Sequence, residues 1–96
     1  MNQKRLRAVV QGKVQGVGFR YWASDEARRL QLTGYVKNLS NGDVELVCEG
    51  ERGALEAFLA MLHNGPKMAH VEKVHFAWLN ATGEFTNFSI GGSYYA

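Results

Sequence analysis

Tyr35-Val36-Lys37-Asn38-Leu39-Ser40-Asn41-Gly42-Asp43-Val44-Glu45-Leu46-Val47-Cys48-Glu49 reads as two strands and the turn between them. Val44, Leu46 and Cys48 alternate with Glu45 and Glu49, the period of two expected of a half-buried strand. Ser40-Asn41-Gly42-Asp43 has the asparagine–glycine pair that a tight hairpin favours. The middle of the chain is therefore an antiparallel pair. What flanks it decides how that pair is covered.

Upstream, Leu6, Ala8, Val10, Gly12 and Val14 alternate with Arg7, Val9, Gln11 and Lys13, which predicts a first strand. Gly16 and Gly18 break that pattern. From Trp22 to Leu32 the spacing of Ala23, Ala27 and Leu30 predicts a helix, with Asp25 and Glu26 near its first turn and Arg28 and Arg29 near its end. Thr33-Gly34 is read as its stop, glycine taking the left-handed terminal position. Downstream, Leu55, Phe58, Leu59 and Leu62 mark a second helix after Gly53, halted by Asn64-Gly65-Pro66. Val71 to Leu79 follows as a strand, with Val74, Phe76 and Trp78 on one face. Phe85 to Ile90 is a short last strand reached through Thr82-Gly83.

The order is βαββαβ plus a short C-terminal strand. Strand–helix–strand crossovers are right-handed, so both helices are expected on one face of an antiparallel four-stranded sheet. This is an α+β sandwich of the ferredoxin-like type. That architecture hosts enzymes, RNA binders and metallochaperones, so it does not choose a function.

Composition bounds the rest. Ninety-six residues, 46% hydrophobic and 21% charged, suit one globular domain over 1–96, with 91–96 expected as a loose tail. One cysteine excludes an internal disulfide framework and points to a reducing, cytoplasmic setting. No apolar run reaches the ~18–20 residues of a membrane span, and the first seven residues are polar and basic. Net charge is only +2, yet it is uneven: eight basic and two acidic residues lie up to Ser40, and three basic and seven acidic lie beyond it. A positive N-terminal half would concentrate a small anion, although solvated faces that mix in three dimensions would leave the same count.

Gln15-Gly16-Val17-Gly18-Phe19-Arg20 links the first strand to the first helix. Two glycines let successive main-chain N–H groups converge on one centre, and a helix N-terminus adds further donors. Arg20 offers a planar fork of donors to two phosphate oxygens. The stretch thus fits a phosphoryl cradle; the same letters also fit a plain tight turn whose arginine points into water. Neither the phosphate-binding P-loop pattern nor a third dinucleotide-type glycine is present. Asn38, just before the hairpin, carries donors and an acceptor without charge, so it can hold a water beside a dianion. Its other reading is a bond to the turn backbone.

Together these segments resemble the acylphosphatase family. Gly12-Lys13-Val14-Gln15-Gly16-Val17-Gly18-Phe19-Arg20 is similar to that family's first signature. Gly34-Tyr35-Val36-Lys37-Asn38, followed by Gly42, Val44 and Gly50, is similar to its second. Glu72-Lys73-Val74, Thr82-Gly83-Glu84-Phe85 and Phe88-Ser89-Ile90 extend the likeness over about residues 5–90. The resemblance implies hydrolysis of acyl phosphates without metal, cofactor or covalent intermediate. Arg20 and the amides of Gln15, Gly16, Val17, Gly18, Phe19 and Arg20 would hold the phosphate, and Asn38 the attacking water. It also implies a monomer acting on a small molecule, with inorganic phosphate or sulfate competing. The chain departs from the family in having Gly91-Gly92 where a basic residue often follows the last strand, and in its Ser93–Ala96 tail. A related module occurs inside larger maturation proteins; the start at Met1 leads us to expect a whole chain here.

The chemistry is self-consistent. Neither segment offers a His, Cys, Asp or Glu as nucleophile or acid. An acyl phosphate needs none, because its leaving carboxylate has a reference pKa near ~4 and departs unprotonated. An alcohol leaving group would need a proton donor or a metal. A cysteine-phosphatase loop is excluded because Ala54, not arginine, lies at the required spacing from Cys48, which is read instead as a small core residue. His63, His70 and His75 lack zinc-ligand spacing. Tyr21 and Trp22 are expected to pack the first helix. Two rivals remain: an RNA-binding module, whose aromatic motif would lie within a central strand, and a non-catalytic anion-sensing domain. No nucleic-acid or membrane partner is expected.

Overall fold

The structure, a computed structural model, describes residues 3–91. Its elements are β1 (Gln3–Lys13), α1 (Phe19–Arg29), β2 (Thr33–Asn38), β3 (Val44–Glu51), α2 (Arg52–Asn64), β4 (His70–Asn80) and β5 (Phe88–Ile90). The strands form one sheet in the order β4-β1-β3-β2-β5. The first four are antiparallel to their neighbours, and β5 lies parallel to β2. α1 covers β2 and β5, α2 covers β4, β3 and β1, and the helices touch, so they lie side by side on one face. The ferredoxin-like α+β fold expected from the element order is the fold observed, with the short last strand added at the β2 edge.

Alternation drives the dry face. Leu6, Ala8 and Val10 from β1, Val36 from β2, and Val44, Leu46 and Cys48 from β3 are all buried. They meet Phe19, Ala23 and Ala27 of α1 and Leu55, Phe58 and Leu62 of α2. Burial pushes the Cys48 thiol far up, as suits a small core residue rather than a nucleophile. In β4, Val74 and Trp78 pack against this core while Phe76, on the same side of an edge strand, stays half exposed.

The other face departs from the pattern. Glu45 and Glu49, expected outward, are buried because basic side chains on β1 cover them. Arg7 Nη2 donates to Glu45 at 2.7 Å, and the Tyr35 hydroxyl donates to it at 3.3 Å. Glu49 accepts from Arg5 Nε at 2.7 Å, from the amides of Thr82 and Gly83 at 2.9 Å each, and from Thr82 Oγ1 at 3.1 Å. Burial alone would raise the Glu49 pKa, but the two amides, Arg5 and the hydroxyl together pull it down to about 2.

The boundaries of the first helix are also corrected. It starts at Phe19 and not Trp22, because Gly18 at φ 77° already caps it. The core stripe is accordingly Phe19, Ala23 and Ala27, and Asp25 and Glu26 fall in mid-helix. The chain leaves the helix through Leu30 and a left-handed Gln31 at φ 61°, so Thr33-Gly34 does not stop the helix but opens β2. Gly34 is glycine for another reason: at φ 136°, a Cβ there would lie 1.9 Å from the Val47 carbonyl oxygen. The last strand is shorter than expected, and residues 81–87 run as an irregular strap beside the Glu49 face.

Candidate active site

β1 carries a register shift at Gln11/Gly12 in its pairing with β4, then ends at Lys13. Such bulges re-aim a strand, here into the 14–18 loop. Gly16 (φ 74°) and Gly18 (φ 77°) both take the left-handed conformation, and no neighbour would crowd a side chain at either. Their glycine is required by backbone curl and not by space. Gly18 caps α1 without any side-chain cap, leaving first-turn amides available to an anion.

The loop, the first turn of α1 and the end of β2 enclose a cavity of about 190 Å³. Val14, Gly16, Gly18, Phe19, Arg20, Tyr21 and Asn38 line it. Arg20 and Asn38, 18 residues apart in sequence, therefore share one cavity. Gln15 and Val17, also expected at the phosphate, have their side chains elsewhere. The Gln15 carboxamide bonds to the hairpin, and Val17 packs on the core. None of the lining residues is His, Cys, Asp or Glu, and among the described residues no three such side chains cluster as a metal site would need.

Arg20 is held from the far end of the chain. Its Nη1 donates to the carbonyl oxygen of Gly91 at 2.7 Å. Gly91 in turn donates its N–H to the Val36 carbonyl at 2.6 Å, continuing the β2–β5 pairing. The chain runs so close to β2 there that a Cβ on Gly91 would lie 2.6 Å from that of Lys37. As read from the sequence, Gly91 stands directly after the last strand, and there a main-chain carbonyl meets the arginine. Gly92–Ala96, including the expected tail and Tyr94 and Tyr95, lie outside the described residues.

Asn38 is the last residue of β2, opposite Val44. Its Oδ1 is enclosed and meets no hydrogen-bond donor among the described residues. The turn does not use that oxygen: Leu39 N–H donates to the Asp43 carbonyl at 2.8 Å, and Asp43 N–H donates to Oδ1 of Asn41 at 3.0 Å. An enclosed acceptor without a donor is costly, and the residue that carries it lines the cavity.

Two features were not read from the sequence. Tyr21 does not pack the helix; it is 67% exposed and lines the cavity, while Trp22 packs edge-on against Phe19 at 5.3 Å. A helix starting at Phe19 puts Tyr21 off the Phe19–Ala23–Ala27 stripe, which is the signal that would have found it. The carbonyl of Gly91 is a main-chain atom and has no signature. The RNA-binding rival loses its geometry, since Phe19 and Trp22 lie on α1 and not in a central strand.

Residues 6–90 match the family pattern described as acylphosphatase. An acylphosphatase of Dehalococcoides mccartyi is 50% identical over 86 residues, spanning 88% of this chain and 94% of that one. A solved acylphosphatase from Bacillus subtilis superposes with a TM-score of 0.89 at 36% identity, covering 93% of this chain and 99% of the other. One from Coxiella burnetii gives 0.88 at 41% identity, covering 94% of each. A match over nearly the whole chain, at this identity and with this fold, is decisive: the chain belongs to the acylphosphatase family.

Proposed function

We propose that Arg20, the loop amides and Asn38 together form the hydrolytic centre of this acylphosphatase. The enzyme cleaves the carboxyl–phosphate bond of an acyl phosphate, giving a carboxylate and inorganic phosphate. In our reading the main-chain N–H groups of residues 15–20 and the Arg20 guanidinium bind the phosphoryl oxygens and meet the charge that grows in the transition state. The Asn38 carboxamide holds a water on the side away from the leaving group. The water oxygen bonds to phosphorus as the bond to the acyl oxygen breaks, the electron pair leaving with the carboxylate. The water's proton passes to a phosphoryl oxygen or to solvent.

The observation that carries this reading is the shared cavity: the loop glycines, Arg20 and Asn38 line it together, and Asn38 Oδ1 meets no donor among the described residues. The neutrality of the amide matters, because a carboxylate there would repel the dianion. The absence of a general acid among the lining residues fits a substrate whose leaving group needs no proton. Positioning and electrostatics are then the whole of the catalysis. We further read the enzyme as a cytoplasmic monomer that works without a metal and is inhibited by inorganic phosphate or sulfate competing for the cradle; no helix among the described residues is long and apolar enough to cross a membrane.

Benzoyl phosphate turnover tests the assignment. Arg20→Ala is expected to lower kcat/KM by ~2–4 kcal/mol of transition-state binding and to weaken phosphate inhibition. Asn38→Ala is expected to lower kcat while leaving phosphate inhibition nearly intact, and EDTA is expected to change nothing. Wild-type efficiency in Arg20→Ala would overturn the assignment.

A further inference from the structure

Gln15 sits within the glycine loop, yet its carboxamide reaches across to the neighbouring hairpin. Nε2 donates to the Leu39 carbonyl at 2.8 Å and to the Asp43 carbonyl at 2.8 Å. These are the two feet of the turn. Leu39 directly follows Asn38, and Asp43 directly precedes Val44, the cross-strand partner of Asn38. The feet are already joined to each other by the Leu39 N–H to Asp43 carbonyl bond at 2.8 Å. One neutral –NH₂ group, with two donors on a single atom, thus ties a closed turn to the loop.

We propose that Gln15 is a positioning residue for the acylphosphatase reaction. Its side chain locks the hairpin that carries Asn38 to the loop that cradles the phosphate. The inference rests on the reading of Asn38 given above. The loop fixes where phosphorus lies and the end of β2 fixes where the water lies, so the attack distance depends on how rigidly the two are joined. Within the first signature, Gln15 supplies the side-chain tie between them. In-line displacement tolerates little error, a misplacement of about 1 Å costing on the order of 100-fold in rate. Gln15 acts on that distance without touching the reacting atoms through its side chain.

Gln15→Leu keeps a side chain of similar bulk, one atom shorter, and removes both donors. Its kcat on benzoyl phosphate is expected to fall between about 10- and 100-fold. Competitive inhibition by inorganic phosphate should move by less than about three-fold, since the cradle itself remains. In an Asn38→Ala background the same substitution should cost less than about three-fold, because the group it positions is gone. Full turnover in Gln15→Leu, or losses that multiply with those of Asn38→Ala, would overturn the role. Full turnover in the single Asn38→Ala variant would sink the reading of Asn38 and the role of Gln15 with it, and that single variant tells the two failures apart. Should Gln15→Leu not fold, Gln15→Glu decides. Its carboxylate would face two carbonyl oxygens, and protonation would restore one donor. Its turnover relative to wild type should therefore rise from pH 7 towards about pH 4.5; a flat ratio overturns the proposal.

Discussion

The loop at 14–18 and the strap at 81–87 lie at different places on one sheet and are built on opposite rules. The loop is made of main chain curled by left-handed glycines, with a helix start that no side chain caps and, beside it, an acceptor that no donor meets among the described residues. The strap is saturated. Glu49 takes the amides of Thr82 and Gly83, Arg5 bridges Glu49 and Glu84, and the Arg5 guanidinium lies 5.1 Å from the centre of the Phe85 ring. An unsatisfied polar region is where a ligand can be bound, and a satisfied one is where stability is held. On the proposed reading of the site, the contrast separates the part of the molecule that works from the part that supports it.

That separation can be broken at four places. The largest effect is expected at Gly34→Ala, which forces a methyl group onto the Val47 carbonyl and should cost ~3–5 kcal/mol or abolish soluble expression; urea denaturation midpoints measure it. Glu49→Gln comes next, on the order of 2–3 kcal/mol, with kcat little changed because neither Glu49 nor any strap residue lines the cavity of Arg20 and Asn38. The pH dependence has a definite sign. The folded Glu49 pKa of about 2 lies below the ordinary 4.5, so its contribution is present above about pH 5 and fades as pH falls towards 2. Wild type and Glu49→Gln should therefore converge in melting temperature as the medium is acidified, and a constant gap would refute the clamp.

Gly16→Ala probes the other rule. No atom would clash, so only the left-handed φ is penalised, about 1 kcal/mol in stability. On the proposed reading of the loop as the phosphate cradle, phosphate inhibition should weaken more than folding does; an unfolding loss with unchanged inhibition would contradict that. The smallest effect belongs to Arg52→Ala, whose guanidinium sits 3.8 Å from the centre of the Trp78 ring on the exposed α2 end. It should cost less than about 1 kcal/mol and leave activity untouched.

Much of this was legible in the residues. Alternation at Val44, Leu46 and Cys48, helical spacing at Leu55, Phe58 and Leu62, and the Asn41-Gly42 turn each act locally, so the element order could be read along the chain. The loop glycines with Arg20, and the amide at 38, could be singled out as candidates, and they line one cavity. What escaped depends on partners distant in sequence. Nothing beside Glu49 says that Arg5, 44 positions earlier, lies opposite it and draws it inward. The helix start was misplaced because the Ala23–Ala27–Leu30 spacing hides that Phe19 heads the same stripe. Gln15 could be seen as part of a signature, but its side-chain partners are carbonyl oxygens, which every residue possesses.

The bond between Arg20 and Gly91 spans 71 positions. During synthesis, the arginine emerges from the ribosome long before its carbonyl partner has been joined to the chain. Gly91 continues the β2–β5 pairing, so, with Arg20 in the proposed phosphate-binding role, competence to capture substrate should await the docking of β5 along β2. A nascent enzyme would then be poorly able to hydrolyse acyl phosphates until its sheet edge had closed.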